Sequence, residues 1–380
     1  MGNYETADVA IIGGGVIGLA LARALARRGA GRVTVLERGT PGAEAAHAAG
    51  GMLAPLAEAD KADAFMELAC ASRDLYPSFA AQLSEESGTD IALEQSGTLY
   101  LALNDADESG IARRYAWQTS AGLPVTWLDG ATARQREPFI SAQTRAALFF
   151  PRDWQVDNRL LVKALLASCE RLGVVVKSGA EVLALRCAGR RVTEAVTHEG
   201  TIEAGAWVVA AGAWASLLKL ADTGHVVPQV VPVRGQMLCF QSVTPLARHV
   251  IYSPRGYLIP RRDGRIVTGS TTEYTGYVKA VTLDGLRAVT THAQEIVPAM
   301  GALPLVESWS GLRPRTADGW PLIGPDAEIS GLYYATGHYR NGILLTPLTA
   351  ELLAETIING TPATLLNSFS PARQMAVGAR

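Results

Sequence analysis

The chain has 380 residues, 48% of them hydrophobic and 18% charged, with a formal net charge of −2. This size and composition predict a globular protein with room for two domains and exclude a disordered or fibrous chain. The charge leaves no electrostatic footprint for nucleic acid, and Cys70, Cys169, Cys187 and Cys239 are too scattered for a metal site or a disulfide framework, which suits a reducing compartment.

Asp8-Val9-Ala10-Ile11-Ile12 reads as a buried parallel strand that runs into Gly13-Gly14-Gly15-Val16-Ile17-Gly18. Residues 16–28 carry Leu, Ala and Arg at helical spacing, and a second strand over 33–36 ends on Glu37. Strand, glycine turn, helix, strand and acid together form the arrangement that binds an ADP-containing dinucleotide. Gly13 permits the tight turn, Gly15 lets a pyrophosphate approach the backbone, and Gly18 lets helix and strand pack closely. Free N–H groups at the helix start favour the diphosphate, and Glu37, nineteen residues beyond Gly18, is placed for the ribose hydroxyls. A membrane or signal segment is the competing reading of residues 9–26; the glycines, Arg23 and the missing basic flank argue against it. No membrane association is therefore expected, and the cytoplasm is the expected compartment.

Residues 40–55 are small, including Ala45, Ala46, Gly50, Gly51 and Met52, and suit a loop draped over a pyrophosphate or flavin. A helix follows over about 62–83, then a strand over 97–103, a helix over 105–121 and a short polar helix within 126–139. Asp157-Asn158 caps a helix running to Leu172. Strands over 174–177, 180–185, 192–197 and 206–211 resume the nucleotide domain with an inserted meander, the last ending in a turn at Gly212. Alternation from 230 to 272 gives antiparallel strands, with a hairpin at Arg262-Asp263-Gly264-Arg265. A helix over 283–297 and a strand over 305–312 lead to Arg313-Pro314. A last strand, 332–337, enters His338-Tyr339-Arg340-Asn341-Gly342-Ile343 and a helix to Ile358. The expected fold is mixed α/β. Residues 1–88, 150–225 and 322–380 would form a discontinuous Rossmann-like domain, and 89–149 with 226–321 an antiparallel-sheet substrate domain.

A second GxGxxG is missing, so one bound dinucleotide is expected, and the interleaved order suits a flavin held by both ends of the chain. An NADP reading would use Arg38 for a 2′-phosphate, which Glu37 would repel. Gly13–Gly18, Gly50-Gly51-Met52-Leu53-Ala54-Pro55, Gly311-Leu312-Arg313-Pro314 and Gly337-His338-Tyr339-Arg340-Asn341-Gly342-Ile343-Leu344-Leu345 together resemble the glycine oxidases of the thiamine pathway, in the D-amino-acid oxidase family of flavoproteins. The resemblance implies a FAD domain of the glutathione-reductase type under a substrate domain. By resemblance Glu37 and Arg38 contact the adenosine ribose, and Ala45, Ala46, Gly50, Gly51 and Met52 line the pyrophosphate and isoalloxazine. Val182 would touch the adenine region, and His338 through Leu344 would wrap the flavin ring. Arg313 would bind the substrate carboxylate with Tyr257, and Arg340 would border the same pocket. The resemblance also implies a tetramer, a glycine-derived imine feeding thiazole formation, and O2 as the oxidant.

The residue chemistry agrees. A permanently charged planar fork suits an amino-acid carboxylate, and Arg313 offers one; a structural ion pair is its competing reading. Tyr257 could share that carboxylate, or be a core tyrosine. The turn at 337–342 opens a helix whose dipole would favour negative charge on a reduced flavin. His338 reads as a packing position, and no acid–base residue is required once the substrate amine is neutral. Arg315-Thr316-Ala317-Asp318 has no cysteine for a tether, so non-covalent FAD is expected. Thr271-Thr272 stands where glycine oxidases place a bulkier apolar residue, which predicts a roomier pocket open to sarcosine, N-substituted glycines or small D-amino acids. A dehydrogenase passing electrons to another acceptor, and a flavin-binding subunit without turnover, are the alternatives.

Overall fold

The computed structural model describes residues 5–221, 225 and 227–375. Its strands form two large sheets and one two-stranded ribbon. The centre of the first sheet is parallel: Glu5–Ile12 lies between Gly200–Val209 and Val33–Glu37, with Val175–Ser178 outermost. Both faces are covered, so side chains alternate between two cores. Val9, Ile11 and Val35 pack under the helices Val16–Arg27, Ala64–Ser87, Asn158–Arg171 and Gly342–Asn359. Ala10, Ile12 and Leu36 pack on the opposite side, with Trp207 and the meander Val182–Ala188, Arg191–Thr197 and Gly200–Val209.

Arg23 is the one charged residue buried in the first helix, and Glu86 receives it through two hydrogen bonds of 2.5 and 2.8 Å. A buried cation is tolerated when it is paired and bonded in this way. The second sheet runs in the order Leu305–Arg315, Val231–Gln241, Arg265–Gly269, Gly256–Pro260, Val250–Ser253, Thr98–Ala102, Ala146–Phe150 and Thr126–Asp129. It is antiparallel apart from Val250–Ser253, which pairs in parallel with Thr98–Ala102 from a distant part of the chain.

Several boundaries differ from expectation for local reasons. The helix expected to end at residue 83 continues to Ser87 and stops at Gly88, whose φ of 67° is left-handed. The strand expected over 305–312 extends to Arg315, because Arg313, Pro314 and Arg315 keep pairing with Val233, Pro232 and Val231. The small-residue loop contains a helical turn, Ala45–Ala48, and a short strand, Met52–Leu53, paired with Trp154–Gln155. Among the described residues no helix is long and apolar enough to cross a membrane.

Candidate active site

A long cleft runs between the two sheets. At one end the glycine turn behaves as its spacing predicts. Gly13 has φ 112°, and a Cβ there would lie 2.5 Å from the Ala210 carbonyl oxygen. At Gly18 a Cβ would lie 2.0 Å from the carbonyl oxygen of Gly13, so helix and strand meet backbone to backbone. At Gly15 an added Cβ would meet nothing within 4 Å, because that residue faces the open cleft. Glu37 accepts hydrogen bonds from the N–H groups of Gly14 and Gly39, both at 2.8 Å, and borders the cleft. Its carboxylate is thus oriented by two N–H groups and keeps further lone pairs for hydroxyls. Arg38 lies 3.8 Å over the ring of Trp214 and pairs with Glu44 at 3.0 Å. Although exposed, it lines this end of the cleft together with Trp214.

At the other end Leu305–Arg315 pairs with Val231–Gln241 so that Gly311 sits opposite Gly235. The facing glycines leave room on both sides. A Cβ at Gly311 would be 2.4 Å from Cβ of Ala48, and one at Gly235 only 2.2 Å from Nη2 of Arg313. The Arg313 guanidinium donates to the carbonyl of Thr271 at 3.1 Å and to Oγ of Ser270 at 2.6 Å. Both acceptors are neutral, and among the described residues Arg313 has no carboxylate partner. The other two arginines lining the cleft are paired, Arg38 with Glu44 and Arg340 with Glu58 at 2.9 Å. The strand carrying Arg313 is tied to the turn carrying Arg340, since the N–H of Tyr339 donates to the carbonyl of Pro314 at 2.9 Å.

Tyr257 is buried and its hydroxyl donates to Sδ of Met237 at 3.3 Å. Tyr252 packs between Tyr257 and Tyr100 with ring centroids 5.5 and 5.6 Å apart, and its hydroxyl donates to Glu58. Burial opposes ionisation of Glu58, but Arg340, the Tyr252 hydroxyl and Arg313 outweigh it and hold its carboxyl below the ordinary value. His338 is buried against Oγ1 of Thr349 at 3.1 Å, and desolvation pushes its imidazole down to about 3. It is a neutral packing side chain near pH 7.

Of the residues expected from sequence, Gly13, Gly15, Val16, Ile17, Glu37, Arg38, Ala45, Ala46, Gly50, Gly51, Met52, Val182, Gly212, Tyr257, Arg313 and His338 through Ile343 line this cleft. Three do not. Gly14 turns its N–H onto Glu37, Gly18 packs beneath Gly13, and Leu344 is 1% exposed in the helical core, its carbonyl accepting from Oγ of Ser72. The premise of a roomier pocket at Thr271-Thr272 is corrected as well. Neither threonine lines the cleft: Oγ1 of Thr271 accepts from the N–H of Gln236 at 2.9 Å and donates to Glu273 at 2.5 Å, while Met237 provides apolar bulk beside Tyr257. Sequence reasoning passed over Glu58, Trp214, Gly235 and Met237. A carboxylate just after the Gly50–Pro55 motif was the available signal for Glu58.

A family model described as FAD dependent oxidoreductase matches residues 8–356. The chain belongs to that family. It is 36% identical over 371 residues to a glycine oxidase of Geobacillus kaustophilus, covering 97% of each chain. It is 37% identical to a bifunctional ThiO/ThiG protein of Trichormus variabilis, covering 97% of this chain and 55% of that one. The crystal structure of the Geobacillus kaustophilus glycine oxidase superimposes with a TM-score of 0.92 at 34% identity, over 97% of this chain and 99% of that one. The protein is a FAD-dependent amino-acid oxidase of the glycine oxidase group.

The cleft fits FAD on its own terms. Helices Val16–Arg27 and Gly342–Asn359 both begin at it, and neither start, at Gly15 or at Asn341, has a side-chain cap. Their first-turn N–H groups are therefore left for a ligand, one set beside the glycine turn and one beside Arg340. The first suits a diphosphate and the second the electron-rich edge of a flavin. Between them, Ala45, Ala46, Gly50 and Gly51 allow a planar ring to lie against backbone.

Proposed function

We propose that the chain oxidises glycine or a small relative of it, such as sarcosine, another N-substituted glycine or a small D-amino acid, to the imine. Water then gives the carbonyl acid and ammonia or amine. Bound non-covalently, FAD supplies the two-electron acceptor that O2 restores, with hydrogen peroxide as product. The observation that carries this reading is Arg313, the one cleft-lining arginine without an acid partner among the described residues. A partly buried guanidinium whose hydrogen-bond acceptors are both neutral favours an anionic ligand, and its fork matches a carboxylate.

Tyr257 supports the same assignment. Its hydroxyl rests on a thioether, a weak acceptor that a carboxylate oxygen would outcompete. Glu58 neutralises Arg340, so the substrate end has one cation to satisfy, which suits a monocarboxylate. Positioning then does most of the work, holding the α-carbon in one orientation with the amine free to lose its proton to solvent. No cysteine lines the cleft, which supports a non-covalent cofactor. Likeness to the ThiO/ThiG relative supports a role in supplying an imine for thiazole formation.

The test is an aerobic peroxide assay across glycine, sarcosine, D-alanine and D-proline, repeated with a dye acceptor. Arg313→Ala should keep its bound flavin while substrate-driven bleaching falls at least 100-fold. Undiminished bleaching removes Arg313 from the substrate site, and dye reduction without peroxide makes the enzyme a dehydrogenase.

A further inference from the structure

We propose that Asp153 is a positioning residue for the substrate end of the cleft: it holds the backbone of residues 55–58 and thereby sets where Glu58, and through it Arg340, stand. The proposal rests on the reading that Arg340 borders the substrate.

Glu58 ends a helix of only four residues, Pro55–Glu58. So short a helix has no stability of its own, and its backbone groups need partners from elsewhere. Pro55 has no N–H. Those of Leu56 and Ala57 both donate to the Asp153 carboxylate, to Oδ1 at 3.3 Å and Oδ2 at 2.7 Å. On the other side, Nε2 of Gln118 donates to the carbonyl of Leu56 at 2.8 Å and the guanidinium of Arg114 donates to that of Ala57. The turn is clamped by side chains around it, and Asp153 is the acidic jaw of that clamp. Asp153 reaches it because the next two residues, Trp154–Gln155, pair with Met52–Leu53 just before the turn.

Asp153 is 0% exposed. The helix Ala64–Ser87 presents Arg73 and Cys70 to it, and the clamped turn presents Glu58. Nη1 of Arg73 stands 3.9 Å from Oδ1, beyond hydrogen-bond range, and has no hydrogen-bond partner. The compensation is incomplete. Burial, with a smaller contribution from Glu58, pushes the Asp153 carboxyl up to about 7 against the two N–H bonds and Arg73. Above that pH both oxygens are acceptors. Below it one becomes a hydroxyl, a much weaker acceptor for an N–H than a carboxylate oxygen, and the clamp loses part of one jaw. The ion pair of Glu58 with Arg340 then loosens as the pH falls through neutrality, while Arg313, on a strand of the other sheet, keeps its place.

The experiment uses FAD-loaded enzyme and Asp153→Asn, which keeps the shape but removes the charge and the titration. Hydrogen exchange over residues 54–58 is read without substrate between pH 6 and 8, corrected for intrinsic rates. KM and kcat are then measured over the same range by peroxide release. In the native enzyme, protection of this segment should drop about threefold or more as the pH falls through 7, with KM rising and kcat changing less. In Asp153→Asn both should be flat, with KM at pH 8 raised about three- to tenfold and the flavin retained. A variant with lower Tm but native pH dependence of exchange and KM would make Asp153 structural only and overturn the proposal. If the variant does not fold, the native enzyme alone decides, since protection without an inflection between pH 6 and 8 overturns it. Failure of every amino acid to reduce the flavin would sink the substrate reading instead, and leave the exchange result to judge Asp153.

Discussion

Gly235 and Arg313 lie on adjacent antiparallel strands, and the guanidinium of one occupies the space a side chain on the other would need. A methyl at 235 would fall 2.2 Å from Nη2, 2.4 Å from Cζ and 2.4 Å from Nη1. These are the mobile end of a side chain, so the fold can yield and the cost lands on the site. Gly235→Ala should therefore fold and hold FAD with little change in Tm, yet raise KM about tenfold, as expected when a positioned binding group is displaced. Unchanged KM would show that Arg313 works from another position.

Two glycines of the first turn, Gly18 and Gly15, should fail in different ways. Gly18→Ala drives a Cβ to 2.0 Å from backbone and should destabilise even the apoprotein, by about 1–3 kcal/mol. The Cβ of Gly15→Val would meet nothing within 4 Å, and the variant should leave apoprotein stability nearly unchanged. Its cost should appear as flavin lost on gel filtration, because the side chain fills the space a pyrophosphate needs. Thermal melts with and without added FAD separate the two cases.

Glu58→Gln leaves Arg340 without an acid and adds a positive charge to the substrate end. Substrates with a second carboxylate on nitrogen should gain most. With charges a few ångströms apart at an intermediate dielectric, the ratio of kcat/KM for iminodiacetate over sarcosine should rise about tenfold. A ratio unmoved by the substitution would place the nitrogen substituent away from Arg340.

Acid should weaken the fold through His338. Its folded imidazole sits at about 3, so the unfolded chain binds the extra proton between that value and the ordinary 6.5. Stability from this group is present above about 6.5 and is lost as the pH falls toward 3. Between pH 7 and 4.5 the loss should be about 2–3 kcal/mol by urea unfolding. His338→Gln, which can keep the bond to Thr349, should show a shallower slope.

The strongest sequence signals were those whose cause is local. Gly13, Gly15, Gly18 and Glu37 lie within one strand–turn–helix–strand unit, where spacing alone places each backbone group. Arg313 and Arg340 stood out through the turns beside them. Glu58 did not, because its partners are remote: Tyr252 is 194 residues away and Arg340 is 282 away. A carboxylate just after Pro55 marks Glu58 itself, but nothing in Ala54-Pro55-Leu56-Ala57-Glu58 names Arg340 as its partner; the partly exposed ion pair arises when the two sheets come together. Trp214 lies just past the Gly212 turn with no local signal of a role, and only the folded chain places it under Arg38. Thr271 misled for a related reason, since adjacency in sequence to Gly269-Ser270 does not decide which side chains face the cleft.

The interleaving of the chain also dictates when the enzyme can acquire its cofactor. The helix Gly342–Asn359 packs on Val16–Arg27, and Leu332–Thr336 completes the sheet beside Gly200–Val209. On a ribosome the glycine turn emerges 326 positions before the second helix start that completes its cleft. At translation rates of about 5–20 residues per second, that interval is roughly 15–65 s. Throughout it Leu19, Leu21 and Leu25 lack part of their final cover, and FAD has only half a site. Flavin capture is therefore expected only after most of the chain has been made.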